Sequence, residues 1–115
     1  MDRLVVYVAR RKVVCRCCED SIDRGAIHSK DDLGMRCLAC VGLDDLVLLP
    51  PGDAALTRRA TRASRTSAIV HEQHRRRFRR VGTLVEPGAL LRAEFACVLD
   101  AAARREKRER EGPGV

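Results

Sequence analysis

The sequence predicts an α+β protein, and three observations indicate it. Four cysteines form two Cys-x-x-Cys pairs, nine arginines are concentrated in residues 57–80, and an apolar stripe at helical spacing follows Pro87. These features divide the 115-residue chain into three predicted parts. Residues 1–50 form a small treble-clef or zinc-ribbon-like metal module, residues 51–85 a basic helical region, and residues 86–115 a long C-terminal helix with a charged, fraying end.

The cysteine pairs have the spacing of ligands for one structural zinc ion: Cys15, Cys18, Cys37 and Cys40. Two thiolates separated by two residues can bind one metal from a tight turn, and two such turns complete a tetrahedral shell. Because four Cys ligands leave no coordination position for water, we expect the metal to be non-catalytic. Cys17 is an alternative to its neighbours in the first pair. Cys97 is expected in the core of the C-terminal helix region.

The residues around these pairs predict strands and a hairpin. Residues 4–9 are β-branched and aromatic, which is typical of a strand, and residues 26–36 read as a hairpin with its turn at residues 30–34. His28 in this hairpin is expected to be structural. Residues 38–46 have helical spacing and predict a short helix at the second cysteine pair. A knuckle, a hairpin and a helix make a treble clef, whereas a strand in the helix position makes a zinc ribbon.

Pro50-Pro51-Gly52 cannot continue regular structure and ends the metal module. Asp53 then predicts the N-cap of a helix over about residues 54–64. Residues 67–70 fit either a strand or the start of another helix that continues through the next arginines. Gly82 breaks the pattern, and residues 83–85 are expected to be a short extended piece.

Pro87 occupies the position that a helix favours for its first residue, and we expect a helix from there to about Glu111. Leu91, Phe95 and Val98 lie on one apolar face of this helix. Beyond residue 103 the apolar stripe ends and a mixed charged run follows.

The excess positive charge lies in the middle of the chain. The net charge is +7, and residues 57–80 hold nine arginines against Glu72 alone: Arg58, Arg59, Arg62, Arg65, Arg75, Arg76, Arg77, Arg79 and Arg80. Guanidinium groups bind phosphate through forked hydrogen bonds and release counterions, so we expect these arginines to contact nucleic acid, DNA or RNA. Only Phe78 lies among them, which favours a duplex or structured RNA over stacked single strands. A solvated face or an acidic protein partner is the alternative.

Two other classes of function are compatible with the residues. His71 and His74 are separated by two residues, whereas the zincin motif needs three, so the spacing rules out a metalloprotease site. Two histidines at this spacing could still bind a metal, and a metal-dependent nuclease is therefore the third-ranked function. The second-ranked function is a protein-interaction adaptor or homodimer that uses the helix of residues 87–103. No apolar run is long enough for a secretory signal or a membrane span. We therefore expect a cytoplasmic, non-enzymatic protein without membrane contact.

Several motifs occur in order along the chain: the two cysteine pairs, residues 43–50, residues 52–60 and residues 79–86. In combination they resemble the N-terminal part of a bacterial family with a domain of unknown function, and the likeness extends to about Ala103. The resemblance implies a metal-binding cysteine module followed by Arg-rich and helical segments, and it implies no known activity. Family members continue into a further C-terminal domain, which we expect this chain to lack.

Overall fold

A computed structural model describes residues 4–112, and it contains eight strands and two α-helices within that range. In chain order the elements are β1 Leu4–Val8, β2 Val13–Val14, β3 Ser21–Ile22, β4 Ile27–Asp31, β5 Gly34–Cys37, a 3-10 turn at Ala39–Val41, β6 Val47–Leu49, α1 Ala54–Ala63, β7 Ala68–His74, β8 Arg77–Val85 and α2 Pro87–Glu111. The chain is thus a mixed α/β protein.

Six strands form one sheet in the order β5-β4-β1-β7-β8-β6, and β2 pairs separately with β3. Strand β1 is antiparallel to β4 and parallel to β7, with Tyr7 paired to both His28 and His71. The remaining pairs in the sheet are antiparallel. Strands from both sides of Pro50 therefore share one sheet.

The two faces of the sheet are covered differently. On one face Val6, Val70 and Leu84 pack against Leu43, which belongs to the segment after the 3-10 turn. Among the described residues, the other face is covered towards β6, where Leu49 and Val85 pack against both helices. The part of this second face that carries Tyr7 and His71 is only half-buried. An open sheet surface therefore lies beside α1.

Both helices lie where the sequence predicts them. The Asp53 side chain accepts a hydrogen bond from the Leu56 N–H at 3.0 Å, which caps α1. Pro87 begins α2, and Lys107 lies 3.9 Å from Glu111 in its charged last turns. In residues 4–112 no helix is long and apolar enough to cross a membrane.

The predicted short helix over residues 38–46 is reduced to the 3-10 turn at Ala39–Val41. Gly42 follows in the left-handed conformation, with φ of 74°, and its N–H bonds back to the Ala39 carbonyl. Because a left-handed glycine ends a helix, the apolar residues that follow turn onto the sheet instead of extending the helix.

Residues 68–85 form a β-hairpin, so the basic segment is helical only in α1 and the strand alternative for residues 67–70 is correct. Gly82 lies inside β8 and does not interrupt it. A Cβ atom added there would lie 2.6 Å from Leu48 Cδ1 and 3.0 Å from the Leu49 carbonyl oxygen, so glycine allows β6 to approach closely.

The buried side of α2 differs from its predicted apolar face. Two small residues, Ala89 and Ala93, are buried, and Ala93 packs with Ala60 of α1 and with the sheet. Leu91, Phe95 and Val98 are instead 69%, 66% and 64% exposed. Alanines allow the two helices to pack closely, and the larger side chains are left facing outward.

Candidate metal centre and basic groove

The first cysteine pair lies at the tip of the β2-β3 hairpin. Val13 pairs with Ile22 and Val14 with Ser21, so the chain reverses between Cys15 and Asp20. The Cys15 carbonyl accepts from the Glu19 N–H at 2.9 Å, and the Cys15 N–H donates to the Asp20 carbonyl at 2.9 Å. This tight turn brings the sulfur atoms of Cys15 and Cys18 close together.

The second cysteine pair lies at the end of the β4-β5 hairpin that is opposite to its turn. Cys37 is the last residue of β5, and Cys40 lies in the 3-10 turn that follows. The Arg16 N–H donates to the Met35 carbonyl at 2.8 Å, which ties the first knuckle to β5. The two turns are thereby fixed beside each other.

The structure brings the four predicted sulfurs together into what we call the cysteine cluster: Cys15, Cys18, Cys37 and Cys40, with all Sγ atoms within 4.8 Å of one another. Cys15 Sγ lies 3.8 Å from Cys40 Sγ, and Cys18 Sγ lies 3.7 Å from Cys37 Sγ. Tetrahedral zinc with bonds of about 2.3 Å separates its sulfurs by about 3.8 Å. The spacing therefore fits one tetrahedral metal ion, and exposed Cys17 lies outside the cluster.

Backbone N–H groups stabilise the ionised form of one sulfur of the cluster, that of Cys15. The N–H groups of Cys18 and Cys37 lower the pKa of Cys15 to about 6, and the Cys37 nitrogen lies 3.3 Å from Cys15 Sγ. The pKa of Cys40 is raised, because the side chains of Cys37 and Cys18 lie beside it. Four thiolates this close repel one another unless a cation lies between them, so the cluster has the electrostatics of a cation site.

Four of the predicted arginines line one groove of about 840 Å³ between α1 and the sheet, which we call the arginine groove: Arg58, Arg62, Arg65 and Arg80. Arg58 and Arg62 lie one turn apart on α1, Arg65 follows the end of that helix, and Arg80 comes from β8. Hydroxyl groups of Thr57, Thr61, Thr66 and Ser67 also line the groove. Guanidinium and hydroxyl donors therefore converge from two elements.

The other predicted arginines lie elsewhere. Arg59 pairs with Asp100 of α2 and its Nη1 donates to Cys97 Sγ at 3.5 Å, so it joins the two helices. Arg79 pairs with Glu72 across the β7-β8 hairpin at 2.9 Å. The remaining three are exposed around the tip of that hairpin: Arg75, Arg76 and Arg77.

Four ring side chains meet on the open part of the sheet and form what we call the aromatic cluster: Tyr7, His28, His71 and Phe78. Tyr7, His28 and Phe78 border a second cavity of about 500 Å³, which Arg10, Arg11 and Lys30 also line. Sequence reasoning did not find this cluster, because its members come from β1, β4, β7 and β8. The alternation of side chains along each strand could have predicted which face Tyr7 and His71 occupy. The order of the strands in the sheet, which the sequence does not show, makes them neighbours.

The histidines considered for a nuclease site are separated by the strand geometry. His71 and His74 both lie in β7, and residues an odd number apart in a strand point to opposite faces. His71 contacts the aromatic cluster, whereas His74 is exposed at the hairpin end. Within the described part of the chain, the cysteine cluster is the one group of three or more potential ligands that could hold a metal.

Fold and site together define a small mixed α/β protein with a four-cysteine cluster that could hold a metal ion. No protein-family model, curated protein or solved structure matches the chain. The resemblance to a bacterial domain-of-unknown-function family therefore stays a prediction.

Proposed function

We propose that this chain is a zinc-stabilised, non-enzymatic nucleic-acid-binding protein. The arginine groove is the observation that carries the proposal, because it gathers four guanidinium groups into one concave surface. Phosphodiester backbones are polyanions, and each phosphate that an arginine neutralises releases condensed counterions. The described residues that line the groove include no Asp or Glu to compete with phosphate.

Zinc would have a structural role in this protein. The sulfur spacing of the cysteine cluster supports a tetrahedral ion of the size of zinc, and thiolates are ligands that zinc favours. With all four ligands from protein, the ion would hold the two knuckles together and leave nucleic-acid binding to the arginines.

The salt dependence of binding tests the proposal. A triple variant with Arg58→Gln, Arg62→Gln and Arg80→Gln should bind nucleic acid more weakly at low salt. Each phosphate contact contributes about 0.7 to 0.9 to the slope of log K against log salt, so the slope should become shallower by about 2 to 3. Fluorescence anisotropy with labelled oligonucleotides across a salt series measures both quantities.

The matched control removes the same charge from another surface. Arg104, Arg105 and Arg108 lie on the exposed end of α2, and their replacement by Gln should leave the slope nearly unchanged. Equal losses in the two triple variants would argue against the groove as the binding site. Absence of binding by the wild-type protein at low salt would contradict the proposed function.

A second candidate function is self-association through α2. Leu91, Phe95, Val98 and Ala102 recur at alternating spacings of four and three residues, which is the seam of a coiled coil. The first three are exposed, so a seam of this kind is free to pair with the same seam of a second copy. None of the described residues that line the arginine groove belongs to α2, so such a dimer would leave the groove open.

Sedimentation velocity across protein concentration tests this pairing. Phe95→Gln should shift a concentration-dependent dimer to monomer, because it replaces the central side chain of the seam. Leu33→Gln removes a similarly exposed apolar residue from the β4-β5 turn and should leave the dimer intact. A wild-type protein that stays monomeric at every concentration would exclude this candidate.

A further inference from the structure

The aromatic cluster presents a partly open ring surface. The Phe78 ring centroid lies 5.6 Å from that of Tyr7 and 6.2 Å from that of His71, and Phe78 and His71 are stacked at 30°. Phe78 is nevertheless 54% exposed. A core residue would be covered by its neighbours, whereas Phe78 is supported from below and open above. This is the geometry of a stacking surface.

The cluster is continuous with the arginine groove. His71 pairs directly with Arg80 across β7 and β8, and Tyr7 pairs with His71 across β1 and β7. Phe78 precedes Arg80 by two residues on the same strand, so the two side chains share a face about 7 Å apart. Rings and guanidinium groups thus form one row across three neighbouring strands.

The charges around this row suit a polyanion. Arg10, Arg11 and Lys30 border the cavity beside Tyr7, and the described lining of both cavities contains no carboxylate. Glu72, the nearest acidic residue along β7, belongs to the alternate face of the strand and is paired there with Arg79. Positive charge therefore flanks the rings on both sides.

We propose that this surface binds single-stranded nucleic acid, with a base stacked on Phe78 beside Tyr7 and His71 and the neighbouring phosphates on Arg80 and the α1 arginines. The inference rests on the proposed function and names its substrate class. Bases in a duplex are stacked on one another and offer no free face, whereas an unpaired base can stack on an exposed ring. In the sequence, Phe78 is the one aromatic residue among the arginines, and this favours a duplex. In the fold, Tyr7 and His71 lie beside Phe78, and this favours a single strand instead.

Tyr7 provides a direct readout of this contact. It is the single tyrosine in a chain without tryptophan, so intrinsic fluorescence reports on the aromatic cluster alone. Titration with oligothymidine or oligouridine should quench this fluorescence. A duplex of equal length and nucleotide concentration should quench it little and also controls for absorption of light by the bases. Comparison of the two oligonucleotides tests for a preference between DNA and RNA.

Substitution of Phe78 provides the second readout. Phe78→Ala should weaken single-strand binding by about 5- to 150-fold, the usual effect of losing one stacked base, with the salt slope unchanged. Phe78→Trp should retain binding. Leu33→Ala removes a similarly exposed apolar side chain from the β4-β5 turn, away from both the ring surface and the α2 seam, and should have no effect. Because Phe78 is half exposed, its variants should melt near the wild-type temperature, which circular dichroism measures.

The outcomes separate this inference from the proposed function. If duplex binds as tightly as single strands, or if Phe78→Ala behaves like Leu33→Ala, stacking is excluded, while a salt slope that depends on the groove arginines still supports backbone binding. If the wild-type protein binds no nucleic acid at low salt, both proposals fail.

Discussion

Glu86 joins two parts of the chain through its carboxylate and its backbone N–H. It accepts hydrogen bonds from the Arg65 N–H and the Ser64 hydroxyl, while its own N–H donates to Ser64 Oγ at 3.0 Å. These bonds connect the end of α1 with the start of α2. The Arg65 N–H, helped by the Ser64 hydroxyl, lowers the pKa of Glu86 below its ordinary value of 4.5.

The lowered pKa of Glu86 predicts how stability depends on pH. A carboxylate with a folded-state pKa below its unfolded value stabilises the fold above the unfolded pKa, and this contribution is lost as the pH falls through the folded pKa. Glu86→Gln should therefore lower the free energy of unfolding at neutral pH and flatten its decline in acid. Urea denaturation at several pH values measures this.

Wild-type protein and the Glu86→Gln variant should converge in stability at low pH. Glu109→Gln, on the exposed end of α2, is the matched control and should follow the wild-type curve throughout. A constant difference between Glu86→Gln and wild type at all pH values would show that the effect is not carried by ionisation.

Single residues could be predicted from the sequence where their function depends on local spacing. The Cys-x-x-Cys pairs indicate a cluster because two residues are the length of one tight turn. Asp53 could be assigned as a helix cap for the same reason, since its partner is the Leu56 N–H three residues later. The aromatic cluster could not, because Tyr7 meets Phe78 only through the pairing of β1 with β7.

At the scale of elements, α1, α2 and β1 are clear in the sequence because each has a long, consistent pattern. The β7-β8 hairpin is obscured because its tip is a run of arginines with no alternation of apolar and polar residues. The apolar pattern also fails to identify the buried side of α2. Alanine contributes little to that pattern. Ala93 nevertheless lies on the buried side of α2, because its small side chain allows α1 to approach closely.

At the scale of the whole molecule, the cysteine cluster connects the β2-β3 hairpin with the end of β5 and the 3-10 turn. The apolar core in this part of the fold is small. Cys15 is fully buried and packs with Ala9 and Ile22, so the cluster is also part of a small core. Structural zinc contributes directly to the free energy of folding in such modules. We expect about one zinc per chain by elemental analysis and a clearly lower melting temperature after chelation.

Two serine variants separate metal binding from general thiol chemistry. Cys18→Ser should reduce zinc content and melting temperature, because it removes one of the four clustered sulfurs. Cys17→Ser, at the exposed neighbouring position, should leave both unchanged. A metal-free protein with the melting temperature of the loaded one would contradict a structural role for zinc.

The position of β1 has a consequence for how the protein is made. It is the first strand within residues 4–112, yet it lies between β4 and β7, so its second edge has no partner until residues 68–74 have been synthesised. Pairings so distant in sequence form slowly, and an unpaired apolar strand edge invites contacts with other chains. Until β7 has been synthesised, the nascent protein therefore exposes one edge of this apolar strand to such contacts.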